Sequence, residues 1–255
     1  MGTDRANGSL FTKIENNIAT IEFGHPASNS FPSVLLKRLA DEFNKLSTDD
    51  DVHLIVLKSE GEKAFCAGAS FDELMAITTE AEGEAFFSGF GNVINAMRNC
   101  KKLTVGRVQG KTVGGGVGLV AACDYAVATE AAAIKLSELS IGIGPFVIAP
   151  AVERKIGVAA LAELTLAATE WKNAYWAKEK GLYAKVFETI AEVDKEVEIL
   201  SEKLAGYNPE ALTAMKKVLW DNTQSWDSIL TKRAKISGTL VLSHFTKNAL
   251  EKFKK

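Results

Sequence analysis

The sequence predicts an α/β fold, a largely parallel sheet wound with helices and followed by a helical C-terminal part. Three observations carry this. The runs "VHLIVLKS" (52–59) and "LTVGRVQG" (103–110) have the apolar, β-branched character of buried strands. Segments of helical period lie between the strand-like runs, so strand and helix alternate as in crossover units. Beyond about residue 145 the pattern is helical almost throughout.

The elements follow in order. "LFTKIENNIATIEFG" gives two short strands around Asn16-Asn17, a hairpin turn. Ser33 precedes "VLLKRLADEFNKL", a helix with Val34, Leu35, Leu39, Phe43 and Leu46 on one face. The strand at 52–59 leads into "EGEKAFCAGASFDEL", a loop rich in small residues that runs toward Asp72 and Glu73. Residues 80–100 form a helix, 103–110 a strand, and "VGGGVGLVAACD" (113–124) opens another helix. "CDYAVAT" (123–129) and "AIKL" read as strands, and "GLYAKVFE" (181–188) is a strand-like piece among helices. From about residue 191 the chain carries amphipathic helices with Trp220 and Trp226, which cover the core or pack on another subunit. No internal sequence repeat or low-complexity linker is visible.

Composition narrows the function classes. A chain of 255 residues with 47% hydrophobic and 24% charged residues has the makeup of a soluble globular protein with a sizeable core. A net charge of −2 with no basic cluster gives no footprint for nucleic acid. No apolar run approaches a membrane span. The polar start "MGTDRANGS" has neither the pattern of a signal peptide nor that of a myristoylation site, Ala6 standing where Ser or Thr is wanted. Cys66, Cys100 and Cys123 are odd in number and lack metal-ligand spacing, which fits a reducing compartment, expected here to be the cytoplasm. His25, His53 and His244 are scattered, and no metal site is expected.

The glycine run poses the functional question. Each glycine inside a helix costs roughly 1 kcal/mol relative to alanine, yet Gly114, Gly115, Gly116 and Gly118 crowd one helix start. Close backbone approach is one reason, and anion binding by unpaired helix-start amides is another. "FCAGAS" (65–70) is a second small-residue loop. If the two meet, an amide from each can donate to one oxygen; the plainer alternative is two tight turns in a packed domain. In "LSELSIGIGP", Glu138 sits among Leu136, Leu139 and Ile141, surroundings that raise a carboxylate pKa and suit a base that removes a proton beside a carbonyl.

"KAFCAGASFDEL", "VGGGVGLVAACDYAVA" and "LSELSIGIGP", in this order and spacing, resemble the crotonase superfamily of enoyl-CoA hydratases and isomerases, and the similarity covers nearly the whole chain. It implies a spiral core of ββα units at 1–190 with the acyl-CoA site, and a helical trimerisation region at 191–255. It implies an oxyanion hole made by the amides of Ala69 and Gly115, which holds the enolate of a coenzyme A thioester. Glu138 is then the catalytic base. The Ala67 carbonyl contacts coenzyme A, and Lys63 and Lys252 are candidates for its phosphates. No permanently bound cofactor is implied, the acyl-CoA being the substrate, and the expected assembly is a homotrimer or a dimer of trimers.

The chain departs from the hydratase pattern. Gly118 stands where hydratases carry their first glutamate, Ser70 replaces the acid that usually follows "AGA", and Phe146 replaces an aspartate of the dienoyl-isomerase branch. One remaining base suits a shift of the double bond from Δ3 to Δ2. Hydration, using Glu138 alone or with a water held by Ser70 or the backbone, is the alternative, followed by decarboxylation and by a catalytically silent acyl-CoA binder. Asp72 and Glu73 are candidates for a replacement acid, Pro145, Phe146 and Val147 for the acyl wall, and Cys66 for packing.

Overall fold

The computed structural model of the chain describes residues 7–252. The start read above as leaderless falls mostly on residues 1–6, outside the described residues. Strands β1 (Ser9–Glu15) and β2 (Ile18–Gly24) pair antiparallel, with Glu15 opposite Ile18. Asn16 and Asn17 make the two-residue turn at φ 50° and 64°, the left-handed backbone that a tight hairpin requires and asparagine tolerates. In α1 (Ser33–Ser47) the buried stripe comprises Leu35, Leu36, Leu39, Ala40, Phe43 and Leu46. Val34, expected on that face, is 43% exposed. At ~100° per residue it points away from the centre of the stripe, which lies between Leu39 and Phe43.

The chain then repeats one unit three times. The first is β3 (Leu54–Ser59), β4 (Ala64–Cys66), the short α2 (Phe71–Ala76) and α3 (Glu80–Asn99). The second is β5 (Leu103–Val108), β6 (Lys111–Val113) and α4 (Gly115–Ala122), and the third β7 (Tyr125–Thr129), β8 (Ile134–Lys135) and α5 (Ala149–Leu166). After α6 (Ala174–Glu179) comes β9 (Lys185–Phe187). The first strand of every unit joins a six-stranded sheet of order β1-β2-β3-β5-β7-β9, parallel from β2 onward. The second strands form their own parallel sheet, β4-β6-β8. This is the predicted spiral of ββα units. The strands read at 52–59, 103–110 and 123–129 are present but shorter, and β4 and β6 were not foreseen. Three residues are too few to show a strand period.

Alternation along the strands buries both faces of the large sheet. Ile55 and Leu57 enter the main core with α1, α3 and α4. Leu54, Val56, Val105 and Val127 face the other way, against α7 (Ile190–Ala205) and α8 (Pro209–Leu219) through Val193, Val197 and Leu212. Helix α9 (Trp226–Leu240) lies along α3 and sends Trp226 and Leu230 into the main core. Buried Asp124 ties this helical end to the sheet. It accepts from Lys216 Nζ, Trp220 Nε1 and the Thr104 amide, each at 2.7 Å. Helix α10 (His244–Glu251) closes the described chain.

Candidate active site

The strands that deliver the site are the short ones. β4, β6 and β8 are parallel neighbours, so the segments leaving their C-terminal ends converge. These are residues 67–70, 114–115 and 137–138. Residues from all three line one cavity of about 170 Å³. Its remaining wall is mostly apolar, with Phe86, Phe87 and Phe90 from α3 and Ile141, Val147 and Ile148 from the third unit.

The two small-residue loops do meet. Gly68 has φ 93°, and a Cβ placed on it would lie 3.3 Å from the Val113 carbonyl oxygen and 3.9 Å from the Gly115 nitrogen. The amides on either side of Ala69 have assigned roles: Phe31 donates to the Gly68 carbonyl at 2.8 Å and Ser70 donates to the Phe31 carbonyl at 2.9 Å. The Ala69 N–H has no acceptor among the described residues. Gly115 is the first residue of α4, and its N–H is likewise without an acceptor there, as helix geometry dictates for an opening amide. Two unpaired donors thus sit in adjoining loops beside the cavity, with the positive end of α4 behind one of them.

The glycines make this approach possible. Gly114 adopts φ 54°, and a Cβ on Gly116 would stand 2.7 Å from the Cys66 Cβ and 2.8 Å from its sulfur. Any side chain there would push the loops apart. Cys66 itself is buried, its sulfur accepts from the Gly68 amide at 3.3 Å, and burial pushes its thiol up to about 12. It packs, as expected, and is no nucleophile at neutral pH.

Glu138 begins a 3₁₀ turn (Glu138–Ile141) that ends at Gly142 in the left-handed region, φ 84°. The ring of Phe245 and the hydroxyl of Thr246, both from α10, pack against Gly142 and hold the turn in place. The Glu138 carboxylate lies beside the glycine loop, Oε1 being 3.0 Å from where a Gly114 Cβ would stand. The residue is half-buried, but Oε2 is fully enclosed and has no hydrogen-bond partner among the described residues. Loss of hydration raises the carboxyl from 4.5 to about 7. Of the apolar neighbours expected around it, Leu136 is buried but Leu139 is 39% exposed, turned outward by the 3₁₀ geometry.

No second carboxylate lines the cavity among the described residues. The space beside Gly118 is filled: a Cβ there would stand 2.5 Å from Ile148 Cγ2 and 2.7 Å from Ile148 Cβ. Ser70 caps α2, its Oγ accepting from the Glu73 amide at 3.3 Å. Glu73 turns away to the start of α1, where Oε2 accepts from the Ser33 amide at 2.9 Å, and Asp72 is exposed. Neither replaces the missing acid. Pro145 and Val147 line the cavity, whereas Phe146 does not; its ring lies against Gly144. Ala67 lines the cavity, but Lys63 and Lys252 do not. Lys63 is exposed just before β4, and Lys252 follows α10.

The sequence reading missed two contributors. Phe90, seen only as part of a helix, covers Gly115, with its ring 2.4 Å from a Cβ placed there; the signal was the recurrence of Phe86 and Phe90 four residues apart. Ser237 of α9 also lines the cavity, and nothing in its local sequence marks it. No group of His, Cys, Asp and Glu suited to a metal ion occurs among the described residues. No described helix is long and apolar enough to cross a membrane.

A parallel spiral whose short sheet brings two free amides and one buried carboxylate to a single cavity defines a crotonase-type protein. The chain belongs to the enoyl-CoA hydratase/isomerase family, whose model matches residues 13–252. It is 26% identical over 242 residues to a Bacillus subtilis (strain 168) protein named "Probable enoyl-CoA hydratase", covering 94% of this chain and 93% of that one. It is 29% identical over 191 residues to the peroxisomal Delta(3,5)-Delta(2,4)-dienoyl-CoA isomerase of Arabidopsis thaliana, covering 69% of this chain and 67% of that one. The fold matches the crystal structure of enoyl-CoA hydratase from Bacillus halodurans with a TM-score of 0.89 at 20% identity, over 95% of this chain and 99% of that one.

Proposed function

We propose that this chain moves the double bond of an enoyl-CoA from Δ3 to Δ2, with Glu138 as its single base. The observation that carries the reading is that Glu138 is the one carboxylate lining the cavity among the described residues, while Ile148 occupies the space beside Gly118. The ionised Glu138 takes a proton from C2, and the electrons spread through the thioester into a dienolate. The amides of Ala69 and Gly115 donate to the resulting oxyanion, an interaction in which one donor typically carries ~2.7–4 kcal/mol of transition-state stabilisation. Glu138 then gives the proton to C4, leaving the double bond between C2 and C3 and the carboxylate ionised again. A pKa of about 7 suits a group that must both accept and return a proton near neutrality.

In this reading the Ala67 carbonyl contacts coenzyme A and Lys63 and Lys252 approach its phosphates, no cofactor remaining bound between turnovers. The family supports a homotrimer or dimer of trimers as the assembly, and exposed apolar side chains such as Val158, Leu166, Tyr207 and Val218 are available to an interface.

The test is separate incubation with a Δ3-enoyl-CoA and a Δ2-enoyl-CoA, with products identified by mass spectrometry and Glu138→Gln run alongside. Double-bond migration that is lost in the variant supports the reading. Hydroxyacyl-CoA as the main product means hydration is the function, with water activated without a second glutamate.

A further inference from the structure

The cavity has one polar feature that the proposed reaction does not use. Ser237 lies inside α9 and is 1% exposed, and its Oγ has no hydrogen-bond partner among the described residues. A helical serine ordinarily bonds back to a carbonyl one turn earlier or faces solvent; Ser237 does neither. It lines the same cavity as Glu138, in a wall that Leu74, Phe86 and Phe87 make otherwise apolar. A buried hydroxyl without a partner is costly, and one on a residue that lines a ligand cavity can find its partner on a ligand that fills it.

Its position relative to the oxyanion end follows from helix packing. Gly238, the next residue, meets Gly83 of α3, a Cβ on Gly83 falling 2.7 Å from the Gly238 Cα. This backbone contact sets α9 close enough to bring Ser237 to the cavity. Gly115, at the oxyanion end, is covered by Phe90 of the same α3. Residues 83 and 90 are two helical turns apart, ~10 Å along the axis. Ser237 is therefore set apart from the oxyanion end of the cavity.

We propose that Ser237 is a specificity-determining residue that hydrogen-bonds an oxygen substituent, a hydroxyl or keto group, carried on the acyl chain away from the thioester. The substrate class is then an oxygenated enoyl-CoA rather than a plain hydrocarbon one. Serine both donates and accepts, so either substituent is served. This rests on the acyl-CoA reading above.

The experiment measures calorimetric affinities for octanoyl-CoA and a set of its monohydroxylated derivatives, the hydroxyl moved along the chain one carbon at a time. These saturated thioesters have no double bond to shift. Wild type is expected to bind one hydroxylated member about five- to tenfold more tightly than octanoyl-CoA, the worth of one net hydrogen bond. Ser237→Ala and the near-isosteric Ser237→Cys should lose that preference, each binding the hydroxylated member no more tightly than it binds octanoyl-CoA. Equal affinity of wild type for the whole set, or a preference that survives in both variants, overturns the inference while leaving the acyl-CoA reading in place. If wild type binds none of the thioesters, that reading falls and this one with it.

Discussion

Replacing Glu138 by glutamine should stabilise the protein, in a pH-dependent way. The carboxyl has an ordinary value of 4.5 when the chain is unfolded and about 7 in the native cavity. The folded state thus holds a proton that the unfolded state releases. Below pH 4.5 both states are protonated and the site costs nothing. Between 4.5 and about 7 stability falls as pH rises, because only the unfolded state gains from ionising. Above about 7 the full penalty applies. At ~1.4 kcal/mol per pH unit it is about 3 kcal/mol. Glutamine carries no such charge, so Glu138→Gln should match wild type near pH 4 and exceed it by about 3 kcal/mol at pH 8. Urea unfolding of both proteins across this range measures the difference and cancels every other titration. A difference that is flat with pH, or a variant less stable than wild type at pH 8, would refute the claim that desolvation governs this carboxylate.

Three other outcomes follow from the packing. Gly118→Ala places a Cβ 2.5 Å from Ile148 Cγ2 and should cost about 1–3 kcal/mol by overpacking; Ile148→Ala in the same chain should recover part of that cost in urea melts. Cys66, buried with its thiol pushed up to about 12, should react with a thiol reagent at pH 8 only as fast as the protein opens, read by mass spectrometry of the Cys66 peptide. Lys216→Met removes the cation from buried Asp124, with which it pairs at 2.7 Å, and should cost about 3–5 kcal/mol in thermal or urea unfolding because a buried charge is left without its counter-ion.

What the sequence made legible was the chemistry of three segments rather than the framework that joins them. "CAGAS", "GGGVG" and "LSELS" stand out because small residues at a helix start and a glutamate among apolar neighbours are locally expensive, and expense is visible in a sequence. The strands that carry these segments were hidden. β4 and β6 have three residues each, too few for an alternating pattern, so the sequence attaches their loops to the long strands β3 and β5; only β8 shows, within "AIKL". The threefold repetition of the unit comes from the family resemblance and not from any internal sequence repeat. It is a repetition of topology, with no shared side chains along the repeats. Val34 was misplaced because apolar character alone does not say where a helical stripe is centred. Ile148 fills the space beside Gly118 from 30 positions away, and Ser237 of α9 reaches the cavity that Glu138 lines from more than 90 positions away; no local pattern announces either.

The central claim is that Glu138 alone carries a proton from one carbon to the other. The direct measurement uses a Δ3-enoyl-CoA deuterated at C2, converted in ordinary water, with the product examined for deuterium at C4. The account predicts that a fraction of the product carries the label at C4, delivered by an enclosed carboxylate, and that Glu138→Gln forms none. Product free of label at C4, together with undiminished turnover in Glu138→Gln, would contradict it.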